Sequence, residues 1–308
     1  MSVMRVTAVV ATKNSERTVS RCISSLIHFV ETGSISRVVL VDGGSTDHTL
    51  GIVSQYPVTL LSDEGRGFFA AYDLGWKGSS DELVLFIDSD AFLGTEFFPR
   101  ALEFFSDAHT GMLVTEARAV VTNRLTKIIG EWWDYRSTAL GKDMDHEHPG
   151  WLERQYQRFV LFSDMQLAVS GPCYMIRRRC LEQVDGFPED GDDFILGKII
   201  SDKGWAIRWW STSQVYHHTR SDLNGLMREY FRFGFRGSLI SRRYFGFSTI
   251  IVRLLTLSAA PILALSISMK FNEPLHLVIL PLTRFVEAIG FLVGLASSSG
   301  PYQGRIPR

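Results

Sequence analysis

Apolar and polar residues alternate in blocks along the first 125 positions of the chain. Short apolar runs rich in β-branched residues occupy residues 5–12, 36–42, 58–63 and 82–90. Each is followed by a segment whose apolar residues recur at helical spacing. Continuous apolar runs of this length are typical of strands buried on both faces of a parallel sheet. The pattern therefore predicts an α/β fold in which helices wind around a mostly parallel sheet.

Helices are predicted in the segments between these strands, at residues 15–31, 45–56 and 67–78, and a further one at 95–105. Ser15 and Ser45 stand at the starts of the first two, where a side-chain oxygen can accept a hydrogen bond from a free backbone N–H. We therefore expect both serines to act as N-caps.

Polar side chains end each of the four predicted strands. They are Thr12 and Asn14 after the first, Asp42 after the second, Asp63 after the third, and Asp88 and Asp90 after the fourth. Ligands of wound α/β sheets bind beyond the carboxyl ends of the strands. A nucleotide is a plausible occupant, because carboxylates accept hydrogen bonds from base N–H groups and ribose hydroxyls. Neither a Gly-x-x-x-x-Gly-Lys loop nor a Gly-x-Gly-x-x-Gly turn is present, which argues against a nucleoside triphosphatase or a dinucleotide dehydrogenase.

The stretch LVLFIDSDAFL places two carboxylates two residues apart at the end of a buried strand. Like charges at that spacing repel each other unless a cation or hydrogen-bond donors lie between them. A divalent metal is one solution, and it could bridge Asp90 to a diphosphate. The alternative is that Asp90 caps the next helix or a turn, while Asp88 accepts backbone N–H bonds.

Two apolar segments close the chain, Phe247–Met269 and Leu275–Ser297, with the polar hinge KFNEP between them. Each is about 23 residues, enough at about 1.5 Å per residue to cross a ~30 Å hydrocarbon core. They predict a transmembrane helical hairpin. A pair of buried core helices or an interfacial hairpin remains the alternative, because Arg284 and Glu287 would be costly at mid-bilayer.

Charge and cysteine content bear on the partners and the cellular compartment of the chain. The net charge is −1, so no basic field argues for nucleic acid as a partner. The three cysteines form no metal-binding pairs and favour a reducing compartment. The N-terminus lacks a signal-peptide core, and arginines flank both ends of the apolar hairpin. We therefore expect attachment to the cell membrane with the N-terminal part in the cytoplasm.

Four stretches, in order, resemble the motifs of the family 2 glycosyltransferases, inverting enzymes of the GT-A fold. They are VVATKNSERTVSRCISSL, VVLVDGGSTDHTL, FIDSDAFL and SGPCYMIRRRCLEQVDGFPEDGDDFILGKIISDKGW, and the resemblance covers residues 3–240. Ala11 and Lys13 stand where the family usually has Pro and an aromatic residue. The usual Asp-Asp-Gly-Ser is here Asp42-Gly43-Gly44-Ser45, which leaves the base preference open between UDP- and GDP-linked sugars.

The resemblance implies a donor site built from the strand ends. The nucleoside would be held by Thr12, Asn14, Glu16 and Asp42, with Asp63 near the base. Asp88 would contact ribose or metal, and Asp90 would bind Mg²⁺ or Mn²⁺. Arg66 lies in a loop at the same face and could reach a phosphate, or it is a solvated loop arginine.

The resemblance also implies a catalytic base in GDDFILGKIISDKGW. The family spacing selects Asp193, with Asp192 as its neighbour, and a helix N-terminus keeps such a carboxylate ionised. Simple helix capping is the alternative reading of this acidic pair. His217 or His218 resembles a histidine that closes over the metal or diphosphate in many members. Arg232, before Phe233 and Gly234, loosely resembles the end of an acceptor motif of processive enzymes, whose Gln is missing here, and we count it among the donor-binding candidates.

The predicted organisation is a GT-A domain over residues 1–225, a basic aromatic interfacial segment over 226–246, and two transmembrane helices over 247–300. The predicted reaction is metal-dependent transfer of a sugar from a nucleotide sugar to a hydroxyl of a lipid-linked glycan or glycolipid. A polyprenyl-phosphate sugar transferase and an inactive sugar-binding module of a membrane complex are the alternatives.

Overall fold

A computed structural model of the chain describes residues 4–139, 171–188, 193–241 and 260–297. Asp192 lies outside the described residues, as do residues 242–259 and 298–300 of the predicted interfacial and apolar segments. The chain divides into two compact units. One is Met1–Arg118 with Leu167–His218, and the other is Ala119–Gln166 with Thr219–Arg308.

The described strands form one eight-stranded sheet. They are β1 (Val6–Thr12), β2 (Arg37–Asp42), β3 (Thr59–Ser62), β4 (Leu83–Asp88), β5 (Ala91–Leu93), β6 (Thr110–Ala119), β7 (Cys173–Arg177) and β8 (Ala206–His217). Their order is β3-β2-β1-β4-β7-β6-β8-β5. The four strands predicted from the apolar runs are confirmed and pair in parallel. Beyond them the sheet continues with antiparallel pairs, β4 with β7, β7 with β6, and β5 with β8.

The described helices are α1 (Val19–Glu31), α2 (Thr49–Val53), α3 (Phe68–Lys77), α4 (Phe97–Glu103), α5 (Arg124–Ala139), α6 (Arg178–Gln183), α7 (Asp193–Asp202), α8 (Leu223–Ile240), α9 (Ala260–Phe271) and α10 (His276–Ala296). The predicted N-caps at Ser15 and Ser45 are wrong, because α1 and α2 begin about four residues later, after Thr18 and His48. The Ser15 hydroxyl instead meets that of Ser89 at 2.8 Å, and the Ser45 hydroxyl donates to Asp42 at 2.5 Å. Both hydroxyls therefore bond to side chains, one distant in sequence and one three residues away, instead of to the backbone N–H groups of a helix end.

A hydrophobic core covers one face of the sheet in the first unit. It joins strand residues such as Val9, Val84 and Phe86 to the buried Tyr72 and Trp76 of α3. Gly75 allows this close packing, because a Cβ at that position would collide with Val9. The tight contact fixes α3, and with it Tyr72, against the strands that lead to the polar sheet edge.

The second unit is helical in its described part. α8 packs along α10, and α9 packs against α10 and α5. Trp132 and Tyr135 of α5 join Ala264, Ile267 and Leu280 in a buried cluster. Arg124 at the start of α5 donates to Glu273 at 2.9 and 3.1 Å.

Within the described residues, one helix is long and apolar enough to cross a membrane, His276–Ala296. Ala260–Phe271 is apolar but shorter. The length and composition of α10 agree with the predicted second span. The core helix of a soluble protein has the same features, so the transmembrane hairpin stays a prediction.

Candidate active site

The sheet brings the polar strand ends together at one edge. In the register of the parallel strands, Thr12 of β1 lies beside Asp42 of β2, and Ala11 lies beside Asp88 of β4. Asp63 follows β3, and its backbone N–H donates to the Asp42 carbonyl at 3.2 Å. Parallel strands end at a common edge, so residues far apart in sequence meet there.

Asp88, Asp90 and His217 form a cluster in which one potential ligand atom from each lies within 4.8 Å of the others. The antiparallel pairing of β5 with β8 creates it, because Ala91 lies opposite His217 and so carries Asp90 next to that histidine. His217 Nε2 is 2.9 Å from Asp90 Oδ1, and the His218 backbone N–H donates to the Asp90 carbonyl at 2.9 Å. The end of β8 thus holds the Asp90 turn in place.

Asp88 is fixed by a buried tyrosine. The Tyr72 hydroxyl donates to Asp88 Oδ1 at 2.8 Å, and Tyr72 is fully buried. Burial and the neighbouring charge of Asp90 raise the pKa of Asp88 well above its usual value, while His217 and the Tyr72 hydroxyl act in the opposite direction. The two carboxylates therefore repel each other across a partly desolvated space, an arrangement that a bound cation relieves.

The structure argues against the capping reading of these aspartates. The N-cap of α4 is Glu96, so Asp90 does not cap that helix. Among the described residues, the Asp88 carboxylate accepts its hydrogen bond from a side chain, the Tyr72 hydroxyl, and not from the backbone N–H groups that a turn would supply. Two carboxylates with one imidazole suit a divalent cation that accepts oxygen and nitrogen ligands, and the donor set fits Mn²⁺ or Mg²⁺.

Thr12 and Asn14 lie at the end of β1. The Thr12 hydroxyl is buried and has no hydrogen-bond partner among the described residues, as expected of a group that contacts a ligand. Asn14 has a left-handed backbone with φ of 52°, a conformation that Asn tolerates. Its side-chain oxygen accepts from the Thr46 N–H at 2.8 Å, and Glu16 accepts from the His48 N–H at 3.1 Å. Both side chains thereby join the loop after β1 to the loop after β2.

Asp42 and Asp63 organise the loops that follow their strands. Asp42 accepts from the backbone N–H groups of Gly44 and Ser45, both at 3.0 Å. Asp63 accepts from those of Gly65 at 2.8 Å and Gly67 at 2.9 Å. These bonds fix the position of each carboxylate and the shape of the loop that follows it.

Four further residues were predicted for the site, namely Arg66, Asp193, Arg232 and Asp192. Arg66 is exposed, and its Nε donates to the Asp63 carbonyl at 3.0 Å. Asp193 is the first residue of α7, which places it at a helix N-terminus as predicted, although its side chain is not described. Arg232 lies on α8, in the second unit. Asp192 is outside the described residues.

Tyr72 is a site residue that the sequence pattern did not reveal. It lies in the apolar stretch GFFAAYDLGWKG, where it reads as one more core aromatic residue. Its hydroxyl reaches Asp88, 16 positions further along the chain, only through the packing of α3 on the sheet. No local pattern links a helical tyrosine to a carboxylate at the end of the next strand.

Comparisons with known proteins agree with this architecture. A sequence model of the family described as glycosyl transferase family 2 matches residues 7–184. The chain is 30% identical over 123 residues to the poly(ribitol-phosphate) beta-N-acetylglucosaminyltransferase TarS of Staphylococcus aureus, covering 38% of this chain and 22% of TarS. It is 26% identical over 124 residues to the poly(ribitol-phosphate) beta-glucosyltransferase of Bacillus spizizenii, covering 38% of this chain and 20% of that protein. The chain thus spans about a fifth of the length of these relatives.

The fold is also seen in a solved structure. The mannosyltransferase PcManGT from Pyrobaculum calidifontis, in complex with GDP-Man and Mn²⁺, matches with a TM-score of 0.59 at 16% identity, over 93% of this chain and 86% of that one. At this identity the likeness concerns the fold, and the predicted GT-A fold is confirmed. Because the family model covers more than half of the chain, from β1 to the end of α6, the chain belongs to glycosyl transferase family 2.

Proposed function

We propose that the chain transfers a sugar, with inversion, from a UDP- or GDP-linked donor to a hydroxyl of a lipid-linked glycan or glycolipid. The observation that carries this proposal is the Asp88, Asp90 and His217 cluster at the carboxyl edge of the parallel strands. The names of the relatives TarS and the Bacillus enzyme support a glycan-like acceptor, because both act on poly(ribitol-phosphate). The apolar helices α9 and α10 support attachment to a membrane.

The donor would lie along the sheet edge. Its nucleoside would contact the buried Thr12 hydroxyl and the loops held by Asn14, Asp42 and Asp63. Glu16 braces the first of these loops through its bond to the His48 N–H. Arg66, exposed beside the Asp63 loop, supplies a positive charge for a phosphate.

The metal would be held by Asp90 and His217, with Asp88 as a third ligand or a ribose contact. When bound, a divalent cation supplies positive charge to the diphosphate leaving group. Tyr72 orients Asp88 through its hydroxyl, and the His218 backbone orients Asp90. These contacts fix the ligands before the donor arrives, which is the usual role of groups behind a metal site.

Asp193 would be the general base, with Asp192 beside it. The acceptor hydroxyl attacks the anomeric carbon, its proton passes to the Asp193 carboxylate, and the bond from that carbon to the diphosphate oxygen breaks. Such a base must be ionised to accept the proton, and Asp193 is the first residue of α7. One attack from the face opposite the leaving group gives inversion.

A phosphate acceptor is the second candidate, and the apolar faces of α9 and α10 favour it because polyprenyl phosphates reside in membranes. An ionised phosphate needs no general base. For a hydroxyl acceptor we therefore expect Asp193→Asn to lower the turnover number about 10²- to 10⁴-fold, the usual contribution of a general base. Retention of nearly full turnover by this variant would select the phosphate acceptor.

The substrate can be found with the full chain in a membrane lipid extract, supplied with a panel of UDP- and GDP-linked sugars and Mn²⁺. Mass analysis of the products identifies the sugar and acceptor together. The proposal predicts one lipid-linked product that grows by a single sugar mass. A protein that neither transfers nor hydrolyses any donor would be the inactive binding module.

A further inference from the structure

Helix α10 has its polarity reversed relative to a helix of a water-soluble protein. Its exposed face is wholly apolar, and Val278, Phe285 and Leu292, spaced seven residues apart on one side, are 58%, 63% and 53% exposed. Leu277, Ile289 and Val293 are exposed on the same half of the helix. A continuous exposed apolar face of this size marks contact with an apolar partner.

The opposite face of α10 carries polar groups into the interior of the unit. His276 is fully buried, with Nε2 2.8 Å from Glu131 of α5. Thr283 is buried, and Arg284 forms an ion pair with Glu287. Helices in water place such groups outside. In lipid the exposed surface is apolar and polar side chains join helix to helix.

Helix α8 lies along most of α10 in the same direction. The two helix backbones lie very close together. A Cβ at Gly234 of α8 would collide with the Glu287 carbonyl of α10, and a Cβ at Gly290 of α10 would collide with the Phe231 carbonyl of α8. Further along, a Cβ at Gly294 would collide with Ser238. The two helices therefore form one tightly packed helix pair and must share the same environment.

The outer face of α8 carries a stripe of arginines. Leu226, Tyr230 and Gly234 are buried at four-residue spacing on the side that meets α10. Arg228, Arg232 and Arg236 repeat at the same spacing, half a turn away from that side. Arg228 is exposed, and the other two are partly exposed. The α8/α10 pair thus has an apolar outer face on α10 and an arginine face on α8.

We propose that α10 lies in the plane of one membrane leaflet, with Val278, Phe285 and Leu292 in the acyl region and the α8 arginines level with the headgroups. A spanning α10 would carry Arg228, Arg232 and Arg236 across the hydrocarbon core with it, which is costly. An in-plane helix immerses its apolar face by about 5–10 Å and leaves the cationic side at anionic headgroups. The inference rests on the membrane attachment that is part of the proposed function.

Lipid explains this surface better than a second copy of the chain. Two apolar faces of α10 could pair with each other, yet that pairing would make no contact with the arginine face of α8. A bilayer surface offers acyl chains to the apolar face of α10 and anionic headgroups to the arginine face of α8. The two faces lie on opposite sides of the same helix pair.

The test compares label depth at three positions of α10. Val278→Cys, Phe285→Cys and Leu292→Cys are each made in the full chain and labelled with a fluorophore, and Arg228→Cys on α8 is the control. The native cysteines Cys22, Cys173 and Cys180 are buried, so the unaltered chain should take up little label. Because all four sites are exposed, labelling leaves the packing intact, and circular dichroism checks this. Vesicles of phosphatidylcholine and phosphatidylglycerol carry quenchers at shallow or deep acyl positions.

The in-plane arrangement predicts equal, shallow quenching at all three α10 positions and a water-accessible label at Arg228. A spanning helix would place successive labels about 10 Å apart in depth, with Phe285 deepest and the outer two reached from opposite sides by an impermeant reagent. That result overturns the proposal. Absence of lipid quenching at every position, with or without self-association, overturns it as well. Sugar transfer measured in the same samples is independent, so loss of transfer with normal quenching would count against the proposed function alone.

Discussion

The two units of the chain place their polar residues in opposite ways. In the first unit, the sheet buries apolar strands and gathers Thr12, Asp42, Asp88 and Asp90 at the edge where the parallel strands end. In the second, α10 buries His276 and Thr283 and exposes an unbroken apolar face.

The two arrangements suit different kinds of partner. Polar groups at the end of buried strands cost folding free energy unless a ligand, a metal or one another satisfies them, so the first unit is shaped around a small polar ligand. Exposed apolar side chains cost free energy in water and are stabilised in an apolar phase, so the exposed face of α10 supports the proposed membrane contact.

Tyr72→Phe tests the first unit and has the largest effect expected from a residue that does not itself contact the substrates. The change removes the hydroxyl that donates to Asp88 at 2.8 Å and keeps the ring in the core. Loss of a group that orients a metal ligand usually lowers metal affinity about 10- to 100-fold, and we expect that loss in the Mn²⁺ dependence of sugar transfer. Tyr56→Phe is the matched control, because its hydroxyl meets Ser20 at 2.7 Å on the surface of α1. Equal Mn²⁺ dependence in the two variants would contradict the role of Tyr72.

The next effect tests the helix pair of the second unit. Gly290→Ala introduces a Cβ against the Phe231 carbonyl, a backbone atom that cannot move aside cheaply. Overpacking of this kind costs about 1–3 kcal/mol, which a urea unfolding curve followed by fluorescence would detect. Gly51→Ala in α2 has open space around its Cβ and should leave stability unchanged or slightly raised. A Gly290→Ala variant as stable as the control would show that α8 and α10 are not packed closely.

The smallest effect concerns the ion pair beside the start of α10. Hydrogen bonds from Arg124 and from the Leu275 N–H lower the pKa of Glu273 to about 2. A carboxylate whose pKa is lower in the folded state stabilises the fold above its unfolded pKa, and the effect disappears as the pH falls toward the folded pKa. Glu273→Gln should therefore lower the urea midpoint slightly at pH 7, and the gap from the unaltered chain should narrow below pH 4.5 and close near pH 2. A gap that is constant with pH would refute the assignment.

The sequence predicts the first unit well where structure is set locally. The apolar runs of β1 to β4 and the polar residues after them follow from short stretches, and parallel winding places their ends together. His217 was a candidate by resemblance alone, since its approach to Asp90 depends on the pairing of β5 with β8. The Ser15 cap failed for a similar reason, because its hydroxyl meets the distant Ser89, while the Ser45 hydroxyl donates to the nearby Asp42 side chain instead of capping a helix.

The second unit was less predictable. The apolar segment at 275–297 identifies a helix, and α10 is that helix. Its partner was not apparent, because α8 reads as a basic aromatic helix that belongs at a membrane surface. The contact of Gly234 and Gly290 with opposing backbone is a property of two helices together. Spacing of small residues in one segment does not say which helix fills the space.

In the proposed function, Asp88, Asp90 and His217 hold the metal of a nucleotide-sugar site. Electron paramagnetic resonance of free Mn²⁺ measures it directly, in titrations of the full chain with and without UDP or GDP. We expect one bound Mn²⁺ per chain, held more tightly when a nucleoside diphosphate is present. Asp90→Ala should lose that binding, and Asp202→Ala, which removes an exposed acid paired with Lys198, should keep it. Unchanged Mn²⁺ binding by Asp90→Ala would contradict it.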